Sequence, residues 1–283
     1  MATLETVFAG KSGIGSLRAT LASFFNAQAL RNMEVNRGAL LYPPSIYEVF
    51  REPPLFVAST GDGAPTGTTG DENLMLSNET TWRYHVLGTQ TIVKPVWVAT
   101  PTGGGLNIGM DQTNGDGVEF CTGTTARAPF LLVTGTTGGY LEVDFTVADV
   151  SGLAEMFVGW RSVEAFQALI DNYSDMAGVN LQGGDLKIET ILNSGATTTT
   201  DTTDNVTDGQ QVRIRVEVST AGVVTYQVGV GTTSLSGPSA APPTATAAFT
   251  FDSGDYLVPT IHLLHGADVA GDVIIQRIEC GYV

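Results

Sequence analysis

The chain has 283 residues, 42% of them hydrophobic and only 15% charged, which is enough apolar material for a sizeable core and excludes a chain disordered throughout. Its net charge of −16 and pI near 4.3 argue against direct binding to nucleic acid or to an anionic membrane, because both need clustered Lys and Arg. Two cysteines, Cys121 and Cys280, are too few for a disulfide framework and lack metal-ligand spacing, so both are expected as free buried thiols.

The 34 glycines and the Thr-rich tracts suit many short strands joined by tight turns better than Glu/Lys-rich helices. The amino terminus lacks a basic region followed by an apolar run and a small-residue cleavage site, so no signal peptide is expected. No apolar stretch reaches the length of a membrane span.

Residues 1–57 read as a docking arm with one helix. Leu17, Leu21, Phe25 and Ala29, with Phe24 alongside, mark one helical face that ends near residue 36, before Gly38. Pro43-Pro44 and Pro53-Pro54 then bracket Ile46, Tyr47, Val49 and Phe50, a pattern expected to lie extended on a surface. Residues 1–55 carry a net +1 and the remainder −17, as for a nearly neutral arm that docks and an acidic body that faces water. The expected contact residues are Leu17, Leu21, Phe24, Phe25, Tyr42, Ile46, Tyr47 and Phe50. Residues 58–79, rich in Gly and Thr without apolar periodicity, read as a linker.

Residues 80–283 have β texture. Strands are expected over 83–87, 91–100, 117–122, 130–134, 140–147, 155–161, 177–181, 186–192, 211–218, 223–230, 247–251, 256–264 and 273–282, with a helical turn or two in 163–173. Val212, Ile214, Val216 and Val218 alternate with polar residues, as do Val224, Tyr226, Val228 and Val230, and residues 219–222 join the two runs as a hairpin turn. The Thr/Asp tract 197–208 reads as an exposed loop. Many short strands without a βαβ rhythm predict a mainly β fold, an antiparallel jelly-roll β-sandwich following the helix-containing extended arm.

The chemistry-bearing candidates are few. Leu141, Val143, Phe145 and Val147 alternate with Tyr140, Glu142, Asp144 and Thr146, which makes 140–147 a central strand with two carboxylates on its polar face. In glucanases of the laminarinase type, three acids stand in the order Glu-x-Asp-x-(x)-Glu, the first as nucleophile and the last as general acid/base. Here Thr146 or Val147 occupies the third position, so the proton donor for that retaining mechanism is missing and the pair is expected to be a solvated strand face. Gly10-Lys11-Ser12 lacks the earlier glycine and the buried strand of a phosphate-binding loop. Acidic turns around Asp111, Asn114 and Asp116, Asp171 with Asp175, and Asp201, Asp204 and Asp208 could take calcium, but none has the ligand spacing of an EF-hand, so no cofactor or metal is expected. His85, His262 and His265 do not form a metal set, since strand positions three apart face opposite sides. The triplets at Asn78, Asn172 and Asn205 are formal glycosylation sequons of little weight. Trp82, Trp97 and Trp160 are expected in the core.

Several phrases stand together: Ile92-Val-Lys-Pro-Val-Trp-Val98, Asp111-Gln-Thr-Asn-Gly-Asp-Gly-Val-Glu119, Phe157-Val-Gly-Trp-Arg161, Ile188-Glu-Thr-Ile-Leu-Asn193, Thr200-Asp-Thr-Thr-Asp-Asn205, and the closing Leu257 to His265 and Ile274 to Ile278. Over about residues 88–283 they resemble the concanavalin/laminin-G-like jelly-roll structural proteins of tailed phages. That resemblance implies a non-enzymatic virion component, a capsid decoration or cement protein on the capsid exterior. Its partners would be the major capsid protein and copies of itself as a trimer or dimer. The alternative is a glycan-binding, lectin-like module on a phage capsid or tail fibre, whose partner would be a host-surface glycan.

Overall fold

The computed structural model describes residues 46–49, 71–75, 81–88, 96–98, 104–109, 113–122, 132–231, 248–267 and 272–283. These fall in the compact unit Ile46–Val283. The predicted helix and the contact residues Leu17, Leu21, Phe24, Phe25, Tyr42 and Phe50 lie outside them.

The described residues form sixteen strands: β1 (Ile46–Val49), β2 (Asp71–Met75), β3 (Thr81–Leu87), β4 (Val96–Val98), β5 (Gly105–Asn107), β6 (Gly117–Thr122), β7 (Leu132–Val133), β8 (Gly139–Val147), β9 (Leu153–Ser162), β10 (Met176–Gln182), β11 (Asp185–Ile191), β12 (Thr198–Asn205), β13 (Gln211–Val218), β14 (Val224–Val230), β15 (Tyr256–His265) and β16 (Val273–Tyr282). One sheet runs β14-β13-β8-β16-β5-β4, with β1 also on β16; the other runs β12-β11-β10-β9-β15-β6-β3-β2, with β7 also on β15. All pairings are antiparallel. The fold is the expected mainly β, concanavalin-like antiparallel sandwich.

The two sheets close on one apolar core because the inward positions of each strand are apolar. Leu141, Val143, Phe145 and Val147 of β8, and Val212, Ile214, Val216 and Val218 of β13, meet Met156, Val158 and Trp160 of β9 and Ile261 and Leu263 of β15. The expected core residues Trp82 and Trp160 are fully buried, and the Trp160 indole Nε1 donates across the gap to the Val216 carbonyl at 3.1 Å. Trp97 lies in β4, but its side chain is outside the described set. Cys121 and Cys280 are buried and in no disulfide.

Elsewhere the sequence and the structure part. The stretch read as an extended surface segment supplies β1, which pairs with β16 in the register Ile46↔Cys280 and Tyr47↔Glu279. Within the stretch read as linker, β2 pairs with β3. The Thr/Asp tract is strand β12, paired with β11 across a register shift between Asp185 and Lys187. Residues 248–251 make only an isolated bridge, Val223↔Thr250, rather than the expected strand. The 219–222 turn closes as expected, with Gly222 at φ 83° and Ser219 N donating to Val223 O at 2.9 Å.

Candidate functional site

Three polar constellations among the described residues can be weighed as a site. The first is the outer face of β8. β13 places Arg213 opposite Asp144 and Arg215 opposite Glu142, while β16 places Arg277 opposite Asp144 and Glu279 opposite Glu142. Arg213 Nε donates to Asp144 Oδ1 at 2.5 Å and its Nη2 to Oδ2 at 3.1 Å. Arg277 Nε donates to Asp144 Oδ2 at 3.1 Å, and its Nη2 donates to Glu142. Arg215 Nη1 donates to Glu142 Oε2 at 3.1 Å, and its guanidinium lies 4.0 Å over the Tyr140 ring. The Tyr140 hydroxyl donates to Glu279 Oε1 at 2.8 Å.

This corrects the expectation of a solvated face: Glu142 and Asp144 are 6% and 5% exposed. The long arginine stems lie across the strand and take the carboxylates out of water while pairing them. Burial pushes the Asp144 carboxyl above its ordinary value, with the Arg213 hydrogen bond pulling it back. Burial and then Glu279 push the Tyr140 hydroxyl upward. The face is a cross-strand ion network that ties three strands together.

The second constellation is a buried polar layer on the outer face of the larger sheet. Glu119 of β6, His262 of β15 and Phe157 of β9 form one row, with His85 and Asn180 at its ends. Arg161 donates from Nε and Nη2 to Glu119 Oε1 at 2.9 and 2.8 Å, and Tyr173 donates to Oε2 of the same carboxylate. Asn180 donates to Glu189 Oε2 at 2.7 Å, and His262 Nδ1 lies 3.2 Å from Glu155 Oε2. Residues 163–175 roof part of this layer. Ile170 and Tyr173 pack on Phe157, Met176 and Ile191, and Phe166 stacks on His85 at 4.4 Å. Glu119, Arg161, Tyr173 and His262 are all within 2% of full burial, so among the described residues these four are closed off from a ligand.

The third is a cleft. β9 and β10 lie over β13, and β10 also lies over β14; β14 and β12 each end their sheets. Residues 248–251 run beside the start of β14, with Thr250 bridged to Val223 and the Phe249 carbonyl accepting from Val224 N at 3.0 Å. A space of about 440 Å³ there is lined by Thr190, Thr198 and Thr200, by Ala196 and Ala248, and by Leu192 and Phe249. Thr190 and Thr198 are cross-strand partners, with Thr200 two residues further along the same face. Phe249 is held edge-on by Phe251, 4.9 Å away. The cavity falls within the range of about 300–1,000 Å³ typical of small-molecule sites.

Of the acids singled out as calcium candidates, Asp111 lies outside the described residues, and four others accept hydrogen bonds from nearby backbone or hydroxyl groups. Asp208 Oδ1 accepts from Val150 N at 3.0 Å, Asp201 from Thr203 N at 2.8 Å, Asp175 from Asn193 N at 2.6 Å, and Asp171 from the Thr197 hydroxyl at 2.7 Å. Among the described residues no group of three or more His, Cys, Asp and Glu side chains could hold a metal ion. Of the predicted contact residues only Ile46 and Tyr47 fall on a described element, β1. Thr190 falls in the expected strand 186–192, but the cleft itself escaped the sequence because Thr198 and Thr200 sat in a tract read as a loop; their β-branching was the signal that could have marked a strand.

No family model matches the chain, and no curated protein matches it. Solved structures do. A protein of unknown function from Shewanella oneidensis is 13% identical with a TM-score of 0.46, covering 96% of this chain and 95% of that one. The exoplasmic/lumenal domain of VIP36, in a Ca2+/Man3GlcNAc-bound form, is 8% identical with a TM-score of 0.46 over 71% and 83% of the two chains. An alginate lyase from Pseudomonas aeruginosa is 16% identical with a TM-score of 0.38 over 58% and 73%. None of these descriptions names a phage particle. The expectation that the chain is not an enzyme is corrected by the lyases among the similar structures: the missing third acid on β8 bears on one hydrolytic mechanism and on nothing wider.

Proposed function

We propose that this chain is a carbohydrate-binding β-sandwich protein that holds a sugar in the cleft at β11 and β12. One observation carries the reading: the cleft is lined by three threonines together with a phenylalanine and two small alanines. Sugars present hydroxyls that both donate and accept, as threonine does, and apolar C–H faces that pack on aromatic rings. Thr198, Ala196 and Ala248 are exposed while Thr190 and Phe249 are buried, so the cleft has a wet mouth and a closed floor.

A glycan array probed with the full chain tests this. Specific binding is expected, and Ala196→Trp, which puts a large ring into the mouth from an exposed position, should weaken it at least about tenfold, the equivalent of about 1.4 kcal/mol, with the β-sheet circular dichroism unchanged. An array without binding, or full binding by Ala196→Trp, would sink the reading.

A second reading places the protein on a phage capsid as a decoration protein, bound to the major capsid protein and to copies of itself. It is favoured by the uneven charge, +1 over residues 1–55 against −17 over the rest. Deleting residues 1–45, which leaves β1 in place, should abolish attachment to empty shells; undiminished occupancy would remove this reading.

A further inference from the structure

We infer that the cleft selects neutral glycans and rejects uronate polymers. The inference rests on the sugar-binding reading above and adds a substrate class to it. None of the residues lining the cleft is charged, so a sugar carboxylate entering it would give up water without meeting a guanidinium or an ammonium, which is strongly unfavourable.

The rim is set against anions as well. Thr197, between the lining residues Ala196 and Thr198, donates its hydroxyl to Asp171 Oδ1 at 2.7 Å. Asn193, next to Leu192, donates from its backbone N to Asp175 Oδ1 at 2.6 Å and from Nδ2 to Asp252 Oδ2 at 3.3 Å. Asp255 Oδ2 in turn accepts from Asp252 N at 3.0 Å. Three carboxylates, Asp171, Asp175 and Asp252, therefore accept hydrogen bonds from residues adjacent to the lining, and Asp255 is one hydrogen bond further out; neither the lining nor this rim includes a lysine or arginine. Burial holds the Asp255 carboxyl above its ordinary value, and Asp175 and Asp252 push it further in the same direction, which reports the same negative local field. The field reaches an incoming anion over about a Debye length, roughly 10 Å at moderate salt.

These acids are already engaged by Thr197, Asn193 and one another, so they shape the field at the mouth without having to touch the sugar. A neutral hexose chain meets only hydroxyls, methyls and a ring.

The test is titration calorimetry of the full chain at low ionic strength with three probes of matched chain length: a soluble β-glucan, a mannan and alginate. At least one neutral probe should bind, and alginate should bind at least about tenfold more weakly, the equivalent of about 1.4 kcal/mol. Raising the salt should narrow that gap, because screening weakens repulsion between exposed charges, and this arm needs no variant. Asp171→Asn combined with Asp252→Asn should narrow it too. Alginate binding as tight as that of the neutral probes, or a gap that salt leaves unmoved, overturns the inference while leaving the sugar-binding reading in place. Absence of binding to all three overturns both.

Discussion

Asp144 shows how a residue identified from sequence can change its role in three dimensions. Alternation along β8 placed Glu142 and Asp144 together on one face, and they are together. What alternation on a single strand could not show is that Arg213 and Arg215 on β13 and Arg277 on β16 come into register with them. The signal was present as Arg-x-Arg-x-Glu at 213–217 and Arg-x-Glu at 277–279, but it becomes readable only once the order β13-β8-β16 is known. A carboxylate with two arginine partners and 5% exposure cannot be removed cheaply, because Arg213 and Arg277, both half-buried, each lose a close counter-charge and are left to share Glu142. Asp144→Ala is expected to destabilise the fold by about 3 kcal/mol, measured as a lower urea midpoint at unchanged slope. A change below about 0.5 kcal/mol would mean that the face behaves as an ordinary solvated surface.

At the scale of elements, the apolar-alternating strands were legible and the polar ones were not. β6, β13 and β16 occupy the residues that their hydrophobic pattern marked. β12 has the sequence Thr-Thr-Thr-Asp-Thr-Thr-Asp-Asn, with no apolar period to detect. It is held by pairing to β11 and by Thr202, fully buried, whose hydroxyl donates to the Leu186 carbonyl at 2.5 Å. Thr202→Val keeps the shape and loses that bond, so it should cost about 1–2 kcal/mol and raise hydrogen exchange selectively in β11 and β12; uniform exchange across the sheet would contradict this role. The glycines of β9 and β10 were equally opaque. Gly159 and Gly178 are cross-strand partners, and the Phe157 ring lies over both. A Cβ added at Gly178 would stand 2.4 Å from that ring, and one at Gly159 would stand 2.4 Å from the Ala177 carbonyl oxygen. Gly178→Ala is therefore expected to destabilise by about 1–3 kcal/mol through overpacking, as thermal melts would show. A neutral effect would mean that the ring is free to move aside.

The whole molecule carries 29 acidic against 13 basic residues, and its described carboxyl groups with displaced pKa values, Asp144, Glu189, Asp204 and Asp255, are all displaced upward, first by burial. A carboxyl whose folded pKa lies above its unfolded value contributes stability that is complete below the unfolded value, here 3.8 for Asp and 4.5 for Glu, and that is lost as pH rises through the folded value. Acidification also relieves the self-repulsion of a chain at −16. The midpoint of thermal unfolding should therefore rise as pH falls from neutrality toward the upper edge of the carboxylate range, and a steady fall over that window would contradict the shifts. The cleft could not be read in advance for a related reason: it forms where β11, β12 and residues 248–249 come together, which depends on strand order that no local pattern encodes.

The claim that β11, β12 and residues 248–249 form a sugar site is tested most directly by methyl NMR of the full chain labelled at threonine and alanine and titrated with the neutral glycan that binds best. The methyl signals of Thr190, Thr198, Thr200, Ala196 and Ala248 should shift together and saturate at one common concentration. Shifts centred instead on Thr146 of the charged face, or no shift at the cleft methyls while the glycan is bound, would contradict it.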